Sequence, residues 1–421
     1  MGGLLHLLPA FVIVFIDMTS QQAMVMLKAL FQGSPDASFR VRLWDGTEET
    51  VGSDPRCTLV FRDAGTFASL MRSKDIYQFC VAFVEDRFDI EGDIFAALRL
   101  RNLLSSVDVG LKAMLKMMWT LGFTRSRHTK DADQKNVQAH YDVSNDFYKL
   151  FLDTRVMAYS CAYYHTPTES LEDAQTHKVD LICRKLRLQP GERLLDIGCG
   201  WGGLLIHAAT HYGVIGHGVT LSKNQYDLAI QRVAEAGLSD KITIELRDYR
   251  DLADASFDKI ASVGMYEHVG IGKYPEYFGA MHRLLKEGGL FLNHGITRKK
   301  HMPFNGEPRF IFTYIFPNAE IDNISHTQAV MEDMGFELLH MECLRPHYQK
   351  TLTEWATRLM ANESRALSLV SKPVYRAWKL YLAGLPGAFE DGSISVCQVL
   401  ASKKASGLAN VPLTLKEVYR A

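Results

Sequence analysis

A pattern of strand, turn and helix that repeats from residue 190 onward constrains the fold of this 421-residue chain most strongly. Apolar runs of strand length alternate with helical segments, one of which begins at a plausible polar cap, Ser222. This alternation predicts βαβ units and therefore an α/β fold, a doubly wound parallel sheet with helices on both faces. Ligands of such folds bind beyond the carboxyl ends of the strands. The predicted strands are ERLLDIG, VIGHGVT, KITIEL, FDKIASVG and LFLNHGI, and the predicted helices are WGGLLIHAATHYG, SKNQYDLAIQRVAEAG and YPEYFGAMHRLLKEGG, the last closed by its glycines.

Two further strands and a helical insertion are predicted in the C-terminal part. FELLHMECL (336–344) and SISVCQVLASK (393–403) have the length and composition of closing strands. The segment between them, 351–385, has a helical pattern and is predicted to cap the sheet.

The N-terminal part has a different texture. Residues 36–105 mix β-rich runs (FRVRLW, CTLVF) with the acidic stretch EDRFDIEGD, which leads into the helical run IFAALRLRNLL, and they predict a small α+β domain. GLKAMLKMMWTLGF (110–123) is amphipathic, and packing on its own protein is favoured over membrane contact. TRSRHTKDADQKN is polar and lacks an apolar period. We therefore predict an N-terminal domain over 1–123, a linker over 124–136 and a main domain over 137–421.

Charge and cysteine usage narrow the class of protein. A formal net charge of −1 gives no global attraction to nucleic acid or to an anionic membrane. The seven cysteines are scattered without a CxxC pair, which predicts free thiols in a reducing, cytoplasmic compartment and no structural zinc. The apolar stretch 2–16 has no preceding Lys or Arg and no cleavage site, so it does not predict a signal peptide. A core helix, or an extension upstream of a true start at Met18, is favoured over a membrane-touching segment.

The first chemical motif is the glycine turn DIGCGWGG. Gly198, Gly200 and Gly203 satisfy G-x-G-x-x-G, which alone also fits a dinucleotide site or a bare turn. A nicotinamide site expects an acid about twenty residues further on, but GVTLSKNQ has none before Asp227, well inside the next helix. Asp196 instead precedes the first glycine by two residues. This D-x-G-x-G arrangement resembles motif I of the S-adenosylmethionine-dependent methyltransferases.

A longer series of motifs resembles one family. In order along roughly residues 135–403, the motifs are HYDVSNDFYKLFLD, YSCAYY, LDIGCGWGGL, GVTLSKNQ, RDYRDL, SVGMYEHVG and YIFPN. The series resembles the cyclopropane-fatty-acyl-phospholipid synthases and mycolic acid cyclopropane synthases, and FDIEGDIFAAL more loosely resembles the small lipid-binding-like domain of the long bacterial synthases. The resemblance implies a class I methyltransferase Rossmann-like fold with helical cap insertions. It also implies methylene transfer from S-adenosylmethionine to a cis double bond of an unsaturated phospholipid acyl chain.

The resemblance also implies an anion site for the chemistry. Methyl transfer to an alkene leaves a carbocation, and a base must remove one proton before the ring closes. In the family that base is bicarbonate. By resemblance, Glu267 accepts its hydroxyl, His294 and Tyr348 donate to its oxygens, and Cys161 and the backbone of Ile296 complete the site. Taken singly, Glu267 could instead cap the following helix, and His294 and Cys161 could be core residues.

The cofactor residues come from the same resemblance, with Asp196 as the acid of motif I. Tyr159 and Ser160 are predicted to close over the methionine moiety, and Gly198 and Gly200 to line it. Thr220 and Gln225 are predicted to replace the usual acid at the ribose. Asp248 and Tyr249 are predicted to approach the adenine. No metal is predicted, and the aromatic residues near the crevice receive no assigned role: Tyr266, Tyr274, Phe278, Tyr314 and Phe316.

Departures from the family pattern leave alternatives open. After YIFPN the chain has AEIDNIS, with Asp322 and Asn323 in place of the family's Pro-Ser, and the fifth strand ends in HGIT. Chain preference or product can therefore differ. The main alternative is a methyltransferase of the same family that makes a methyl- or methylene-branched lipid or acts on another small apolar substrate. A nicotinamide oxidoreductase and a non-catalytic lipid-binding protein are the remaining ones. A lipid substrate also predicts peripheral contact with the inner face of the membrane through the basic TRSRHTK and ITRKKH (296–301), and the family suggests a homodimer.

Overall fold

The computed structural model describes residues 18–31, 37–73, 75–100, 143–252, 257–301, 306–317, 319–404 and 412–419. They fall into two compact units, the first within Met1–Arg125, Phe304–Ile315 and Ser371–Gly387, and the second within Ser126–Pro303, Phe316–Val370 and Ala388–Ala421. The predicted linker, the amphipathic segment 110–123 and the apolar stretch 2–16 lie outside the described residues. The predicted domain limits therefore remain a prediction.

The first unit contains a small sheet with helices, as the α+β pattern predicts. Its N-terminal elements are α1 (Ser20–Phe31), β1 (Phe39–Arg42), β2 (Glu48–Val51), β3 (Cys57–Phe61), α2 (Ala64–Ser73), α3 (Ile76–Val84), β4 (Phe88–Gly92) and α4 (Ile94–Arg99). The strand order is β2-β1-β3-β4, with β1 parallel to β3 and the other pairs antiparallel. Asp75 and Asp93 cap α3 and α4, since each side chain accepts a backbone N–H of the first turn.

Part of the acidic stretch EDRFDIEGD forms a strand, β4, which the sequence pattern did not predict. Phe88 and Ile90 point into the core, and the acids alternate with them. Asp89 pairs with Arg62 at 3.0 Å, and Glu91 pairs with Arg42 at 2.7 Å. The acids therefore lie along the polar face of a half-buried strand.

The remaining elements follow in chain order. They are α5 (Asn145–Tyr148), α6 (Leu171–Lys185), β5 (Arg193–Ile197), α7 (Gly203–Tyr212), β6 (Ile215–Thr220), α8 (Lys223–Glu235), β7 (Ile242–Leu246), β8 (Phe257–Val263), α9 (Tyr274–Leu284), β9 (Leu285–Arg298), α10 (Gly306–Tyr314), α11 (Ile324–Asp333), β10 (Phe336–Cys343), α12 (Arg345–Ala361), α13 (Glu363–Leu369), α14 (Lys372–Glu390) and β11 (Ile394–Lys403). Helix α10 and most of α14 belong to the first unit.

The second unit contains a seven-stranded sheet in the order β10-β11-β9-β8-β5-β6-β7. The five strands from β9 to β7 are parallel, and β11 runs antiparallel to both β9 and β10. One core cluster lies under α6, α7 and α8, and a second lies under α9 and α11 on the opposite face. The doubly wound sheet and both closing strands are therefore confirmed.

Two local predictions need correction. Helix α9 ends at Leu284 and not at glycines, because the buried Leu285 already pairs with Phe257 and the chain passes directly into β9. The predicted insertion 351–385 comprises three helices, of which α12 packs against β11 while α14 mostly belongs to the first unit. Among the described residues, no helix combines the length and the hydropathy needed to cross a membrane.

Candidate active site

A cavity lies at the carboxyl ends of β5, β6 and β8. Its position is the one that the α/β pattern predicts. All nine predicted cofactor residues line it: Tyr159, Ser160, Asp196, Gly198, Gly200, Thr220, Gln225, Asp248 and Tyr249. The structure therefore brings this entire predicted set together.

The glycines of the turn after β5 have different roles. Gly198 and Gly200 have φ values of +73° and +55°, which favour glycine. A Cβ on Gly200 would meet nothing within 4 Å, so the backbone is open to a ligand there. A Cβ on Gly203 would lie 2.2 Å from the carbonyl oxygen of Val156, so this glycine permits close packing at the start of α7.

The side of the cavity at the end of β6, where the ribose is predicted, is built from hydroxyl and amide groups. The Thr220 hydroxyl donates to Gln225 Oε1 at 3.0 Å and accepts the backbone N–H of Ser222 at 3.2 Å. Ser222 caps α8 as predicted, since its hydroxyl accepts the backbone N–H of Gln225 at 3.3 Å. These bonds hold Thr220 and Gln225 together at the end of β6.

Asp248 lines the cavity but binds Arg250. Its carboxylate accepts from the Arg250 side chain at 2.9 and 2.7 Å and from the Arg250 backbone N–H at 2.8 Å. The Tyr249 ring packs edge-on against Tyr277, with ring centroids 5.5 Å apart. Tyr249 therefore offers an aromatic surface at the cavity, and Asp248 also orders the loop beside it.

Lys178 is a buried cation in the cavity wall, and no sequence motif pointed to it. Its ammonium donates to the Ser160 hydroxyl at 3.0 Å. Burial lowers the pKa of Lys178 to about 8, although Asp153, Cys161 and Asp196 oppose the shift. Burial raises the pKa of Asp196 to about 7, and Lys178 moderates that rise. A lysine on the buried face of an amphipathic helix was the available signal, since α6 otherwise buries mainly apolar side chains there.

Glu267 forms the first part of the predicted anion site. One carboxylate oxygen, Oε1, accepts the backbone N–H of Ile296 at 2.6 Å, and the Tyr266 hydroxyl donates to the Ile296 carbonyl at 2.8 Å. The other oxygen, Oε2, is buried and has no hydrogen-bond partner within the part of the chain that the structure describes. Burial raises the pKa of Glu267 to about 7. The capping interpretation is wrong, because Glu267 bonds to β9 and not to the N-terminus of α9.

His294 is neutral and has a defined tautomer. The Lys185 ammonium donates to Gln398 Oε1 at 2.7 Å, so the amide nitrogen of Gln398 faces His294 Nδ1 at 3.0 Å and donates to it. Burial, aided by Lys178 and Lys185, lowers the pKa of His294 to about 3. The proton of the ring therefore resides on Nε2, which is buried without a partner among the described residues. Sequence patterns gave no sign of Lys185 or Gln398.

Cys161 and Tyr348 meet at Leu344. The Cys161 thiol donates to the Ala162 carbonyl across 3.2 Å and lies 3.8 Å from the Leu344 carbonyl. Burial raises the pKa of this thiol. The Leu344 carbonyl also accepts the backbone N–H of Tyr348 at 3.1 Å. The Tyr348 ring is buried against Phe389, with centroids 4.9 Å apart.

Strand pairing connects the two parts of the predicted anion site, Glu267 with Ile296 and Cys161 with Tyr348. Ile296 of β9 lies opposite Val396 of β11, whose carbonyl accepts the Leu344 backbone N–H at 2.8 Å. The cofactor cavity is adjacent, because Gly264 in its wall donates its backbone N–H to the His294 carbonyl at 2.8 Å. The structure thus joins Glu267 to Ile296 directly and Cys161 to Tyr348 through Leu344. A complete five-residue anion site remains a prediction.

The residues that depart from the family pattern have structural roles. Asn323 caps α11 by accepting the backbone N–H of His326, and Asp322 contacts the His326 ring. Of the aromatic residues without an assigned role, Tyr266, Tyr274 and Phe278 lie in the core beneath α9.

Comparison with known proteins identifies the family. The profile of the mycolic acid cyclopropane synthetase family matches residues 128–399, and that of a domain of unknown function matches residues 26–106. A "Probable fatty acid methyltransferase" of Pseudomonas putida is 41% identical over 389 residues, which cover 90% of this chain and 96% of that protein. The chain belongs to the mycolic acid cyclopropane synthetase family.

Solved structures agree with this assignment. The cyclopropane synthase MmaA2 from Mycobacterium tuberculosis superposes with a TM-score of 0.62 at 36% identity, covering 64% of this chain and 98% of that one. The mycolic acid cyclopropane synthase CmaA1, complexed with SAH and CTAB, gives a TM-score of 0.61 at 38% identity with the same coverage. The predictions of fold and family are confirmed, and the chain is an S-adenosylmethionine-dependent methyltransferase. The open backbone at Gly200 and the other eight predicted residues in the cavity wall fit that cofactor.

Proposed function

We propose that this enzyme transfers a methylene group from S-adenosylmethionine to a cis double bond of an unsaturated phospholipid acyl chain, with bound bicarbonate as general base. The observation that carries the proposal is a pair of buried polar atoms, Glu267 Oε2 and His294 Nε2. Neither has a hydrogen-bond partner among the described residues, and both residues adjoin the wall of the cofactor cavity. Buried polar atoms of this kind are costly unless a ligand satisfies them.

S-adenosylmethionine supplies an electrophilic methyl group, and bicarbonate supplies the base for the proton that ring closure releases. Ionised Glu267 accepts the anion's hydroxyl, and His294 Nε2–H and the Tyr348 phenol donate to its other oxygens. Because His294 is neutral with its proton on Nε2, it donates a hydrogen bond without acidifying the base. Cys161, a protonated thiol, and the backbone of Ile296 close the site.

The cavity residues hold the cofactor in this proposal. Tyr159 and Ser160 close over the methionine moiety, which Gly198 and Gly200 line after Asp196. Thr220 and Gln225 bind the ribose, and Asp248 and Tyr249 flank the adenine. An alkene is a weak nucleophile. The cofactor's methyl carbon must therefore be held in line with the double bond, in a site without water.

A second candidate product is a methyl- or methylene-branched chain. It is favoured by the name of the Pseudomonas putida relative, a fatty acid methyltransferase, which matches along 90% of this chain. The departures at Asp322 and Asn323 also favour it, because they lie in a segment where cyclopropane synthases of the family usually have Pro-Ser. The two candidates share the cofactor site and differ in the fate of the carbocation. Ring closure removes a proton from the transferred methyl group, whereas a branch forms when the carbocation loses a different proton or is reduced by a hydride donor.

Expression in a bacterium that makes unsaturated but no cyclopropane lipids separates the candidates. The cyclopropane proposal predicts acyl chains heavier by one CH₂ whose NMR spectrum contains ring protons, recovered from intact phospholipid. Branched chains without ring protons would support the second candidate, and unmodified lipids would contradict both. Glu267→Gln is the impaired control, expected to give little product, and Glu276→Gln, a change at an exposed acid of α9, is the matched active one.

We also propose peripheral contact with the inner face of the cytoplasmic membrane, because the substrate's acyl chains lie in a bilayer. Lys299 and Lys300 of ITRKKH are exposed directly after β9. A homodimer remains part of the proposal and is tested by light scattering.

A further inference from the structure

Two cysteines lie opposite each other on neighbouring strands of the large sheet. Cys343 is the last residue of β10, and it is paired in register with Cys397 of β11. Residues directly opposite in an antiparallel pair project to the same face of the sheet. The two thiols are therefore neighbours, although they are far apart in sequence.

The hydrogen-bond pattern defines the spacing of this pair. The Leu344 backbone N–H donates to the Val396 carbonyl at 2.8 Å, so Leu344 and Val396 form a hydrogen-bonded pair. Pairs alternate along an antiparallel ladder, which makes Cys343 and Cys397 a non-hydrogen-bonded pair with Cα atoms about 4.5 Å apart. Disulfides span Cα separations of about 4.4–6.8 Å. The backbone is thus already within bonding range.

The two thiols differ in exposure. Cys343 is exposed, and its sulfur lies 2.9 Å from the Ser395 hydroxyl. Cys397 is buried, and burial together with the neighbouring Cys343 raises its pKa to about 11. An oxidant in solution therefore reaches Cys343 first, and Cys397 is placed to react second.

We propose that Cys343 and Cys397 form a reversible disulfide when the enzyme meets a peroxide. The Cys343 sulfur attacks a peroxide oxygen, the O–O bond breaks, and a sulfenic acid forms with release of water. The Cys397 sulfur then attacks the sulfenic sulfur, the S–O bond breaks, and a second water leaves with the thiol proton. One peroxide is reduced, and the two thiols are oxidised together by two electrons.

The bond is expected to be easy to reduce. Opposed Cβ atoms on a ladder are about 4.5–5.5 Å apart, whereas a disulfide prefers about 3.8 Å. The two Cβ atoms must therefore move closer although the Cα atoms are within range, and the bond is strained. A strained disulfide at an exposed strand end has an oxidising potential and is restored by cellular thiols. This behaviour agrees with the reducing compartment that the scattered cysteines predict.

The disulfide also affects the predicted anion site, and this effect rests on the proposed function. Leu344 follows Cys343 directly, and its carbonyl contacts both the Cys161 thiol and the Tyr348 backbone N–H. Drawing Cys343 toward Cys397 therefore shifts two of the five predicted anion ligands. Since a displacement of about 1 Å can reduce turnover up to about 100-fold, we expect oxidation to lower turnover by about tenfold.

The test treats the full-length enzyme with hydrogen peroxide and maps its peptides without reduction. We expect a Cys343–Cys397 cross-link lighter by two hydrogen atoms, removed by dithiothreitol and absent from Cys343→Ser and Cys397→Ser. Sulfinic acid at Cys343 with Cys397 unmodified, or a cross-link from Cys343 to Cys161, would overturn the assignment. Thermal melting of both variants verifies that they fold.

Turnover measured before and after oxidation tests the second step. We expect the wild type to lose activity and regain it with dithiothreitol, and Cys343→Ser to resist peroxide. Full cross-linking with unchanged turnover would show that the disulfide does not affect the predicted anion site. The mass measurement needs no substrate, so a failure of the proposed function remains distinguishable from a failure of the disulfide.

Discussion

The side-chain amide of Gln398 donates to Nδ1 of His294 across 3.0 Å, within a chain of bonds that begins at the buried ammonium of Lys185. Because Lys185 occupies the amide oxygen of Gln398, only the amide nitrogen can face the imidazole. The ring is consequently held as the neutral tautomer that donates from Nε2. Gln398 and Lys185 therefore act as positioning residues for His294.

Replacing Gln398 by Leu should lower kcat and leave cofactor binding intact. Without the amide donor the imidazole loses its fixed tautomer, and loss of such supporting partners costs about 10- to 100-fold. Calorimetry with S-adenosylhomocysteine and single-turnover kinetics measure the two effects. Gln231→Leu, a change at an exposed glutamine of α8, is the matched control. Equal losses in binding and kcat would indicate a purely structural role.

The pH dependence of turnover should follow the carboxyl group of Glu267. Burial raises its pKa to about 7, so the carboxylate, which in our proposal accepts the anion's hydroxyl, is lost as pH falls through that value. We expect turnover to rise with pH through about 7. Glu267→Gln should keep the bond from the Ile296 N–H, bind the cofactor and lose about 100-fold in turnover.

The Glu267→Gln variant also separates this titration from that of Asp196, whose pKa is likewise about 7. Residual activity of the variant should lack the Glu267 step and rise when bicarbonate is added. A variant with the unchanged wild-type pH profile, or with no response to bicarbonate, would contradict the assigned role.

Lys178→Met should weaken cofactor binding through Ser160. The ammonium donates to the Ser160 hydroxyl at 3.0 Å, so the proton of that hydroxyl points elsewhere. In our proposal it points toward a carboxylate of the cofactor. Charge-assisted hydrogen bonds contribute about 1.5–3 kcal/mol, so affinity for S-adenosylhomocysteine should fall roughly tenfold or more. A double-mutant cycle with Ser160→Ala checks the pathway, because independent, additive losses would show that Lys178 does not act through Ser160.

Gly203→Ala should destabilise the second unit. The added methyl group would lie 2.2 Å from the Val156 carbonyl oxygen, and backbone on both sides must shift. Overpacking of this kind costs about 1–3 kcal/mol and lowers Tm by several degrees. Gly272→Ala is the matched control, since a Cβ there meets nothing within 4 Å. An equal Tm for the two variants in scanning calorimetry would contradict the packing role.

The sequence predicted those features that local pattern determines. The alternation of apolar runs of strand length with helical segments predicted all seven strands of the large sheet. Ser222 and the glycine turn located the cofactor cavity. The strand at Phe88–Gly92 was missed because its alternating acids hide a half-buried face. The partners of those acids, Arg42 of β1 and Arg62 directly after β3, lie elsewhere in the sequence. Lys178, Lys185 and Gln398 were missed for a similar reason: their roles depend on contacts between distant segments, and a position on the buried face of a helix does not reveal those partners.

Contact with anionic membranes should depend on Lys299 and Lys300. Each exposed lysine near an anionic surface contributes about 1 kcal/mol, so reversing both charges should weaken liposome binding by roughly 30-fold or more. Flotation with vesicles of anionic and of zwitterionic phospholipid measures the effect. The control reverses two other exposed lysines, Lys223 and Lys241, which carry the same charge on and after α8. If both double variants float alike, net charge alone governs binding, and the segment after β9 has no specific part in docking.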